Sequence, residues 1–359
     1  MNSNLSLQPN YDIQSLNTLS VPSVAEFFVT IKSDGDYAPL LSFLKEKKSP
    51  LLILGGGSNV LLPSFVAGIV AKIETKDREL VAETDTDIIM RFSAGENWHD
   101  IVMWSVENGF CGIENLALIP GSIGAAPIQN IGAYGVELES CCEYVDVIFL
   151  DSGKKSRLTR EQCQFAYRDS IFKGELKDKV LITHVALKFA KEIKSKKEGA
   201  DKSTKNSSLN LQYPALRSKL VEIHADIDHL SAEQVAHAVI EIRQSKLPDP
   251  QTIPNAGSFF KNPVVHADHL ERIKQDYPDV VAYPTENNHF KLAAGWLIDR
   301  AGWKGKVVNN IAMHHQQALV LTNPESASTQ QLLDFADKVC ASIYKTFSVE
   351  LEIEPRVFK

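Results

Sequence analysis

The apolar positions in the first third of the chain predict short elements that alternate between helix and strand. Between Tyr37 and Lys47, leucines at positions 40, 41 and 44 recur at helical spacing. The apolar run 51–54 follows, then a glycine-rich turn at residues 55–59 and a second apolar run from Val60. The pattern therefore predicts helix, strand, glycine turn and strand in that order.

The rest of the chain continues this mixed pattern. Short strand-like segments fill residues 69–148, interrupted by one predicted helix over about 99–108. Ser231 and Gln234 form a capping-box pair that starts another helix, which Leu247 and Pro248 end. A last helix is predicted over about 329–345, and residues 348–354 alternate apolar with glutamate, which predicts a half-buried strand with an acidic outer face.

Composition places the chain among folded globular proteins. Its 359 residues are 44% hydrophobic and 23% charged, which excludes disorder over the whole length and suggests two to three domains. The net charge of −7 disfavours nucleic acid as a partner. Seven lysines crowd residues 188–205, and a solvated loop or insertion explains them better than an anion-binding patch.

Cysteine usage and hydropathy favour the cytoplasm. The five cysteines contain no C-x-x-C pair, which predicts free thiols and neither a disulfide framework nor a zinc ribbon. There is no run of 18 apolar residues, and the first ten residues lack the features of a secretory signal, so no membrane insertion is expected. His314 and His315 are adjacent and would point to opposite faces of a strand, so no metal site is expected.

Two glycine-rich segments are candidates for binding a phosphate-bearing cofactor. The first is Gly55-Gly56-Gly57-Ser58-Asn59, whose backbone N–H groups could form an anion-binding nest. It is neither a Rossmann fingerprint nor a P-loop, and an ordinary tight turn stays open as an alternative. The second, residues 120–135, reads PGSIGAAPIQNIGAYG, in which small residues flank amides as in a backbone that wraps a flat cofactor. A generic loop is the alternative here.

Three further residues could carry chemistry. Arg168 follows Tyr167 and could fork onto a carboxylate, although a surface arginine is the common alternative. Ser258 lacks the G-x-S-x-G context of a nucleophile but precedes two phenylalanines, so its hydroxyl could donate a proton from an aromatic pocket; a turn serine is the alternative. Glu354 stands where the predicted strand ends before Pro355, or else it belongs to a solvated acidic stripe.

Taken together, the motifs resemble the UDP-N-acetylenolpyruvoylglucosamine reductase family, the MurB flavoenzymes of peptidoglycan synthesis. The resemblance covers about residues 17–356, and the order and spacing of the motifs make it specific. The motifs are residues 55–59, 120–135, 167–170, 247–250, 255–263, 291–296 and 316–320.

The resemblance implies an α+β fold of three parts. A two-part FAD-binding fold of the vanillyl-alcohol-oxidase (PCMH) type would comprise residues 1–79 and 80–228, with the lysine-rich insertion at about 190–208. Residues 229–359 would form a C-terminal α+β substrate-binding domain, whose last strand returns to the active site.

The resemblance also implies a reaction. NADPH reduces non-covalently bound FAD, and flavin N5 then passes a hydride to C3 of the enolpyruvyl group, which yields UDP-N-acetylmuramate. By match, Arg168 and Glu354 would polarise the substrate carboxylate, and Ser258 would protonate C2. Cofactor-binding positions would be Gly55, Gly56, Gly57, Ser58, Asn59, Gly121, Ser122, Gln129, Asn130, Gly132, Ala133, Tyr134, Gly135, Ile171, Arg243 and Arg356. Substrate-binding positions would be Tyr167, Tyr213, Lys246, Asn262, Tyr283, Lys291 and Gln317.

Tyr213 matches a substrate-loop tyrosine that occurs in one of the two forms of the family. It is followed by Pro214 and Ala215, where relatives usually carry glycine and aspartate. Two other readings remain open at this point: a different flavin oxidoreductase of the same superfold acting on a sugar or alcohol, and a flavin- or sugar-nucleotide-binding protein without catalysis.

Overall fold

The structure is a computed structural model that describes residues 5–192 and 209–358. Residues 193–208, which hold most of the predicted lysine-rich insertion, lie outside the described residues. The helices of the described ranges are α1 (Tyr37–Lys47), α2 (Trp98–Glu107), α3 (Pro214–Ile223), α4 (Ala232–Lys246), α5 (Ala267–Asp276), α6 (Ala294–Arg300) and α7 (Thr329–Phe347).

Most strands of the same ranges are short, and most of them pair antiparallel. They are β1 (Gln8–Asp12), β2 (Val24–Ile31), β3 (Leu51–Leu54), β4 (Val60–Leu61), β5 (Phe65–Ile73), β6 (Arg78–Glu83), β7 (Asp87–Ser93), β8 (Phe110–Cys111), β9 (Gly132–Ala133), β10 (Val136–Glu137), β11 (Cys142–Phe149), β12 (Lys155–Thr159), β13 (Val180–Lys191), β14 (Asn255–Ser258), β15 (Val264–His266), β16 (Ala282–Pro284), β17 (His289–Leu292), β18 (Val307–Val308), β19 (Ile311–Met313), β20 (Val320–Thr322) and β21 (Arg356–Val357).

Local sequence signals account for several of these boundaries. The predicted order of helix, strand, glycine turn and strand is confirmed by α1, β3 and β4. At the start of α4, the Gln234 N–H donates to Ser231 Oγ at 3.2 Å, and the Ser231 N–H donates to Gln234 Oε1 at 2.9 Å. This reciprocal pair is the predicted capping box, and it satisfies backbone donors that the first helical turn leaves unpaired.

By its internal contacts the chain divides into two compact units. Unit 1 comprises Met1–Pro9, Phe27–Gly56 and Ala67–Ser245, and unit 2 comprises Asn10–Glu26, Gly57–Val66 and Lys246–Lys359, each as far as its residues are described. The division into 1–79, 80–228 and 229–359 stays a prediction.

Unit 1 contains two hydrophobic clusters. The smaller one is built by α1, β2 and β5, with Ile31, Leu40 and Ile69 fully buried, and β3 pairs in parallel with β5. The larger one lies on the antiparallel sheet of order β12-β11-β13-β7-β6, where β8 also pairs with β13. Helices α2, α3 and α4 contribute buried apolar residues to the larger cluster, including Trp98 and Leu216. Helices and antiparallel strands thus share one core, as in α+β folds.

Unit 2 has a core of its own. Its sheet of order β14-β20-β19-β18 and its sheet of order β15-β17-β16 bury a cluster that includes Phe259, Phe260 and Leu332. The N-terminal residues of this unit join the same body, because the Asn255 N–H donates to the Thr18 carbonyl at 2.9 Å. Strand β21 pairs in parallel with β4, so the end of the chain lies beside the strand that follows the first glycine segment.

The strand predicted over residues 348–354 is wrong as a continuous strand. The apolar positions do alternate inward, with Val349 buried and Glu350 exposed, but the only bridge in this segment joins Ile353 to Phe260. Glu354 is half-buried, whereas the Glu352 side chain is 70% exposed, so Glu354 does not belong to a uniform acidic stripe. Alternation reports which side is buried, but it does not supply a partner strand.

The thiols of the larger cluster in unit 1 are buried. Burial in apolar surroundings raises the pKa of Cys141 and of Cys163 from 9.0 to about 12 and shifts the pKa of Cys142 in the same direction. These thiols ionise near pH 9 in the unfolded chain but stay protonated above that pH in the folded chain. Below pH 9 the thiols are protonated in both states, and the free energy of unfolding does not depend on their ionisation. As the pH rises from 9 toward 12, the unfolded chain loses protons that the folded chain keeps, so the free energy of unfolding falls.

We expect the free energy of unfolding to fall above pH 9 by about 1.4 kcal/mol per pH unit for each such thiol. Urea titrations at pH 7.5, 9 and 10.5 measure the slope. Cys163→Ala serves as the comparison. It removes one titrating thiol, so its free energy of unfolding should fall less steeply, by about 1.4 kcal/mol per pH unit. Identical slopes for the two proteins would contradict this account.

Two negative findings concern the described residues only. None of the helices there combines the length and hydrophobicity that crossing a membrane requires. The same residues contain no group of three or more His, Cys, Asp or Glu side chains that could hold a metal ion.

Candidate functional site

In unit 1 the two glycine-rich segments lie directly against each other. A Cβ on Gly56 would stand 2.7 Å from the Cα of Gly121, and a Cβ on Gly55 would overlap Ser122 Oγ. The Trp98 N–H donates to the Gly121 carbonyl at 3.0 Å, which ties this contact to the start of α2. Only residues without a side chain allow two backbones to approach so closely.

The second half of the first glycine segment belongs to unit 2. Gly57 has φ +66°, and a Cβ there would overlap the Leu16 carbonyl oxygen. The Arg356 N–H donates to the Asn59 carbonyl at 3.0 Å, and the Arg356 guanidinium lies 4.2 Å from the centre of the Phe358 ring. Unit 2 thus brings together Asn59 and Arg356, two positions at which the family resemblance implies cofactor binding.

If the glycine-rich segments hold FAD, as the family resemblance implies, Gly56→Ala should weaken FAD binding at least tenfold, or about 1.4 kcal/mol. The added methyl meets backbone at Gly121, so the two glycine segments must separate. The flavin content of the purified protein and an FAD titration of the apoprotein measure the loss. Gly35→Ala is the matched control, because a Cβ at Gly35 meets nothing closer than Ser33 Oγ at 3.5 Å. Equal FAD affinity in the two variants would refute this prediction.

The middle of the second glycine-rich segment is held by Asn130. The segment forms a 3-10 helix over Ile123–Gln129, which ends at Asn130 in the left-handed conformation with φ 44°. The fully buried Asn130 amide donates to Glu137 Oε2 at 2.9 Å and to the Ala166 carbonyl at 3.2 Å, and it accepts from the Glu139 N–H at 2.9 Å. The side chain of Asn130 is therefore directed at protein groups that shape the loop.

The second glycine-rich segment ends in a β-hairpin whose loop has two residues. Ala133 pairs with Val136, and the tip residues Tyr134 and Gly135 have φ +48° and +81°. Positive φ at both central residues is typical of type I′ turns, which favour asparagine or glycine. An aromatic residue at the first position is strained, and such strain is characteristic of functional sites.

Tyr134, Tyr213 and Arg243 form one cluster in unit 1. The Tyr134 and Tyr213 rings meet edge to face, with centroids 5.3 Å apart. Arg243 donates a hydrogen bond to the Tyr134 hydroxyl, and burial raises the pKa of this phenol. Burial also lowers the pKa of Arg243, whose buried Nε has no hydrogen-bond partner among the described residues. A buried guanidinium donor without a partner fits an anionic or carbonyl group of a ligand.

Arg168 stands in a tight turn and reaches the hairpin. Ala166 and Asp169 exchange both backbone hydrogen bonds at 3.1 Å, and Arg168 in the turn has φ +54°. Its Nη2 donates to the Gly132 carbonyl at 2.7 Å, and its guanidinium lies 5.3 Å from the centre of the Tyr167 ring. Ser170 Oγ donates to the Ile128 carbonyl at 2.7 Å, which fastens this turn to the second glycine-rich segment.

Ser258 and Glu354 lie on neighbouring backbones in unit 2. Ser258 is the exposed last residue of β14, opposite Val320. The Glu354 N–H donates at 2.9 Å to the carbonyl of Phe259, the residue that follows Ser258. The expectation of an aromatic pocket around Ser258 is wrong, because Ser258 is exposed whereas Phe259 and Phe260 are fully buried in the core of unit 2. Their rings anchor the backbone that presents the serine.

The remaining substrate positions of unit 2 are distributed over its sheets and helices. Asn262 Oδ1 accepts from the Ala294 N–H at the start of α6. Tyr283 and Lys291 are directly opposite on β16 and β17. Gln317 Oε1 lies 3.4 Å from the position of a Cβ on Gly295. Lys246 is the exposed last residue of α4. In unit 1, Tyr167 and Ile171 are half-buried at the Arg168 turn.

Two asparagines with positioning contacts were not among the site residues predicted from the sequence. Asn255 is buried; its amide donates to the Pro248 and Ile253 carbonyls, and its Oδ1 accepts from the Gly257 N–H, which shapes the approach to Ser258. Asn115 is fully buried and donates to carbonyls of the Tyr134 hairpin and of the loop before α3. A usable signal for Asn115 is a polar pair, Glu114-Asn115, within an otherwise apolar stretch.

The chain is similar to proteins of one enzyme family over nearly its whole length. Family models match it for an FAD binding domain over residues 25–159 and for the C-terminal domain of UDP-N-acetylenolpyruvoylglucosamine reductase over residues 249–358. The UDP-N-acetylenolpyruvoylglucosamine reductase of Bdellovibrio bacteriovorus is 42% identical over 351 residues, covering 98% of this chain and 99% of that protein. The reductase of Pseudomonas aeruginosa is 39% identical over 354 residues, covering 99% of each.

A solved structure agrees with these matches. The crystal structure of UDP-N-acetylenolpyruvylglucosamine reductase (MurB) from Thermus caldophilus has a TM-score of 0.64 at 20% sequence identity, covering 99% of this chain and 100% of that one. At this identity the likeness shows the fold. With the two family models, it confirms the predicted class, an FAD-binding fold followed by a C-terminal α+β substrate-binding domain.

Proposed function

The chain belongs to the UDP-N-acetylenolpyruvoylglucosamine reductase family, and we propose how its own residues carry out the reaction. The protein is an FAD-dependent oxidoreductase that uses NADPH to reduce UDP-N-acetylenolpyruvoylglucosamine in peptidoglycan synthesis. The product is UDP-N-acetylmuramate, a precursor on which cell-wall biogenesis, cell shape and division depend. We propose that the enzyme acts in the cytoplasm, where NADPH is available.

The residues of unit 1 suit FAD. Where Gly56 meets Gly121, no side chain covers the backbone, and the buried Nε of Arg243, which has no hydrogen-bond partner among residues 5–192 and 209–358, supplies a cationic donor. Backbone N–H groups and a guanidinium are the groups that hold pyrophosphate and the polar edge of a flavin. Asn130 acts through the loop that it shapes. When bound, FAD supplies a hydride acceptor for NADPH and a hydride donor for the enolpyruvyl C3.

Arg168, as a cation, and Glu354, as a protonated carboxylic acid, are proposed to polarise the carboxylate of the substrate. As C3 gains a hydride, negative charge develops at C2 and spreads into this carboxylate, so preplaced donors lower the barrier. What supports this role for Arg168 is its bond to the Gly132 carbonyl, which fixes one edge of the guanidinium and leaves the planar fork pre-oriented.

Ser258 is proposed to donate the proton to C2. The observation that carries this assignment is the hydrogen bond from the Glu354 N–H to the Phe259 carbonyl, which sets Glu354 beside the strand end that presents Ser258. Gly257, at φ +68°, and the Asn255 side chain shape the turn that exposes this hydroxyl. A serine hydroxyl can serve as the acid because C2 becomes strongly basic during the reaction.

The substrate itself is proposed to contact Tyr167, Tyr213, Lys246, Asn262, Tyr283, Lys291 and Gln317. Lysine, tyrosine and amide side chains are suited to a sugar diphosphate, which offers acceptors for charge-assisted hydrogen bonds. We further propose that Tyr213 makes this enzyme a member of the form with a substrate-loop tyrosine.

An anaerobic visible-absorption titration tests the proposal. NADPH should bleach the bound flavin, and UDP-N-acetylenolpyruvoylglucosamine should restore its colour. Bleaching of the oxidised flavin by a sugar or alcohol, with no recovery of colour after UDP-N-acetylenolpyruvoylglucosamine is added, would point to a different flavin oxidoreductase of the same superfold. Bound flavin that NADPH does not bleach would point to a binding protein without catalysis.

A further inference from the structure

The tip of the Tyr134 hairpin is joined to the loop that carries Tyr213 by two asparagine side chains. Asn115 Nδ2 donates at 2.8 Å both to the Tyr134 carbonyl and to the Asn210 carbonyl. Asn210 Nδ2 in turn donates to the Gly135 carbonyl at 3.0 Å. The two carbonyls of the hairpin tip are thus bonded to residue 115 on one side and to the loop at residues 209–213 on the other.

The orientation of the Asn115 amide follows from its partners. Both are backbone carbonyl oxygens, which only accept, so the nitrogen of the amide must face them. Asn115 is fully buried, and its Oδ1 receives no hydrogen bond from any residue that the structure describes. The contribution of this side chain therefore lies in its two donated bonds, one to each segment.

We propose that Asn115 is a positioning residue for the substrate step, which holds the Tyr213 loop against the hairpin tip in the arrangement that receives substrate. This inference rests on the proposed role of Tyr213 in substrate binding. The Tyr213 ring meets the Tyr134 ring edge to face, so a shift of the backbone that Asn115 holds would change this ring contact.

The conformational order of the loop at residues 209–213 affects how tightly the substrate binds. It leads into α3 at Pro214, and it has no regular secondary structure of its own. Without the bonds from Asn115, more conformations become accessible to Tyr213, and substrate binding must then select one of them. The loss therefore appears as weaker substrate binding and not as a slower chemical step, because Asn115 touches none of the groups proposed to move the hydride or the proton.

Asn115→Leu tests the proposal, because it keeps the approximate size of the side chain and removes both donors. We expect the KM for UDP-N-acetylenolpyruvoylglucosamine to rise about tenfold, with kcat changed less than about twofold. The rate at which NADPH reduces the flavin should be unchanged. Asn115→Ser, which can donate one bond, should give an intermediate KM and serves if the leucine variant does not fold.

A double-mutant cycle with Tyr213→Ala separates positioning from general loss of structure. If Asn115 acts through Tyr213, the KM of the double variant should match that of Tyr213→Ala alone. Asn323→Leu is the matched control: Asn323 is equally buried in unit 2 and also donates to two backbone carbonyls, those of Leu19 and Ala327. Its effect on KM should multiply with that of Tyr213→Ala.

The possible outcomes test the role of Asn115 separately from the role of Tyr213. Independent, multiplicative effects of Asn115→Leu and Tyr213→Ala would overturn the positioning role. An unchanged KM in Tyr213→Ala would instead show that Tyr213 does not bind substrate, and the proposed role of this loop would fail before the role of Asn115 is reached.

Discussion

Ser258→Ala should slow the reoxidation of reduced flavin by UDP-N-acetylenolpyruvoylglucosamine about 100- to 10,000-fold, the usual contribution of a positioned general acid. The rate of flavin reduction by NADPH should stay as it is, since no proton is delivered to C2 in that half of the reaction. Anaerobic stopped-flow measurements of the two half-reactions, followed by flavin absorbance, read out both rates on the same protein.

The structure makes this variant a clean one. Ser258 is exposed, and the backbone around it is fixed by the buried rings of Phe259 and Phe260, so loss of the hydroxyl leaves those anchors in place. Ser258→Cys keeps an exchangeable proton at the same position and should retain part of the activity that alanine loses. Equal slowing of both half-reactions by Ser258→Ala would exclude the proton-donor role.

Arg168→Lys should reduce the rate of the substrate half-reaction about 100- to 1,000-fold, which is the typical cost of losing one preorganised donor at a developing negative charge. Lysine keeps the charge but carries a single ammonium group. It cannot bond to the Gly132 carbonyl and present a planar fork to a carboxylate at the same time. The same stopped-flow assay measures the effect, and FAD content should be retained.

Arg160→Lys provides the control for Arg168→Lys. Arg160 is exposed, and its guanidinium pairs with the neighbouring Glu161, so lysine can replace it at little cost. The control should leave both half-reactions unchanged. Loss of bound FAD in Arg168→Lys would show instead that this arginine mainly maintains the hairpin, because a displaced guanidinium no longer supports Gly132.

The sequence predicts a helix, a strand or a helix cap correctly where the signal comes from residues that are close together in the chain. The apolar spacing in α1, the short run of β3 and the capping box of α4 each depend on residues within a few positions of one another. The strand expected over residues 348–354 shows where such reasoning ends. Its alternation is present, but a strand needs a partner along its length, and the structure supplies one only at Phe260.

The candidate site divides in the same way. The glycine-rich segments and the positions of Arg168, Ser258 and Glu354 were recognisable as motifs with a chain order. Their immediate surroundings were not: the phenylalanines after Ser258 are buried in a core, and Glu354 is half-buried apart from its exposed neighbours. Burial of a given side chain depends on what packs over it, and that is decided by distant segments.

The amino-acid sequence was enough to predict the family, the reaction class, and the elements and turns whose signals are local. Three contacts became visible only in the folded chain: Gly56 against Gly121, Arg168 bonded to Gly132, and Asn115 joining the Tyr134 hairpin to the Tyr213 loop. The partners in these contacts are far apart in the sequence. Hydrogen bonds and close contacts between residues tens of positions apart leave no periodic trace along the chain, because they exist only once folding has brought the segments together.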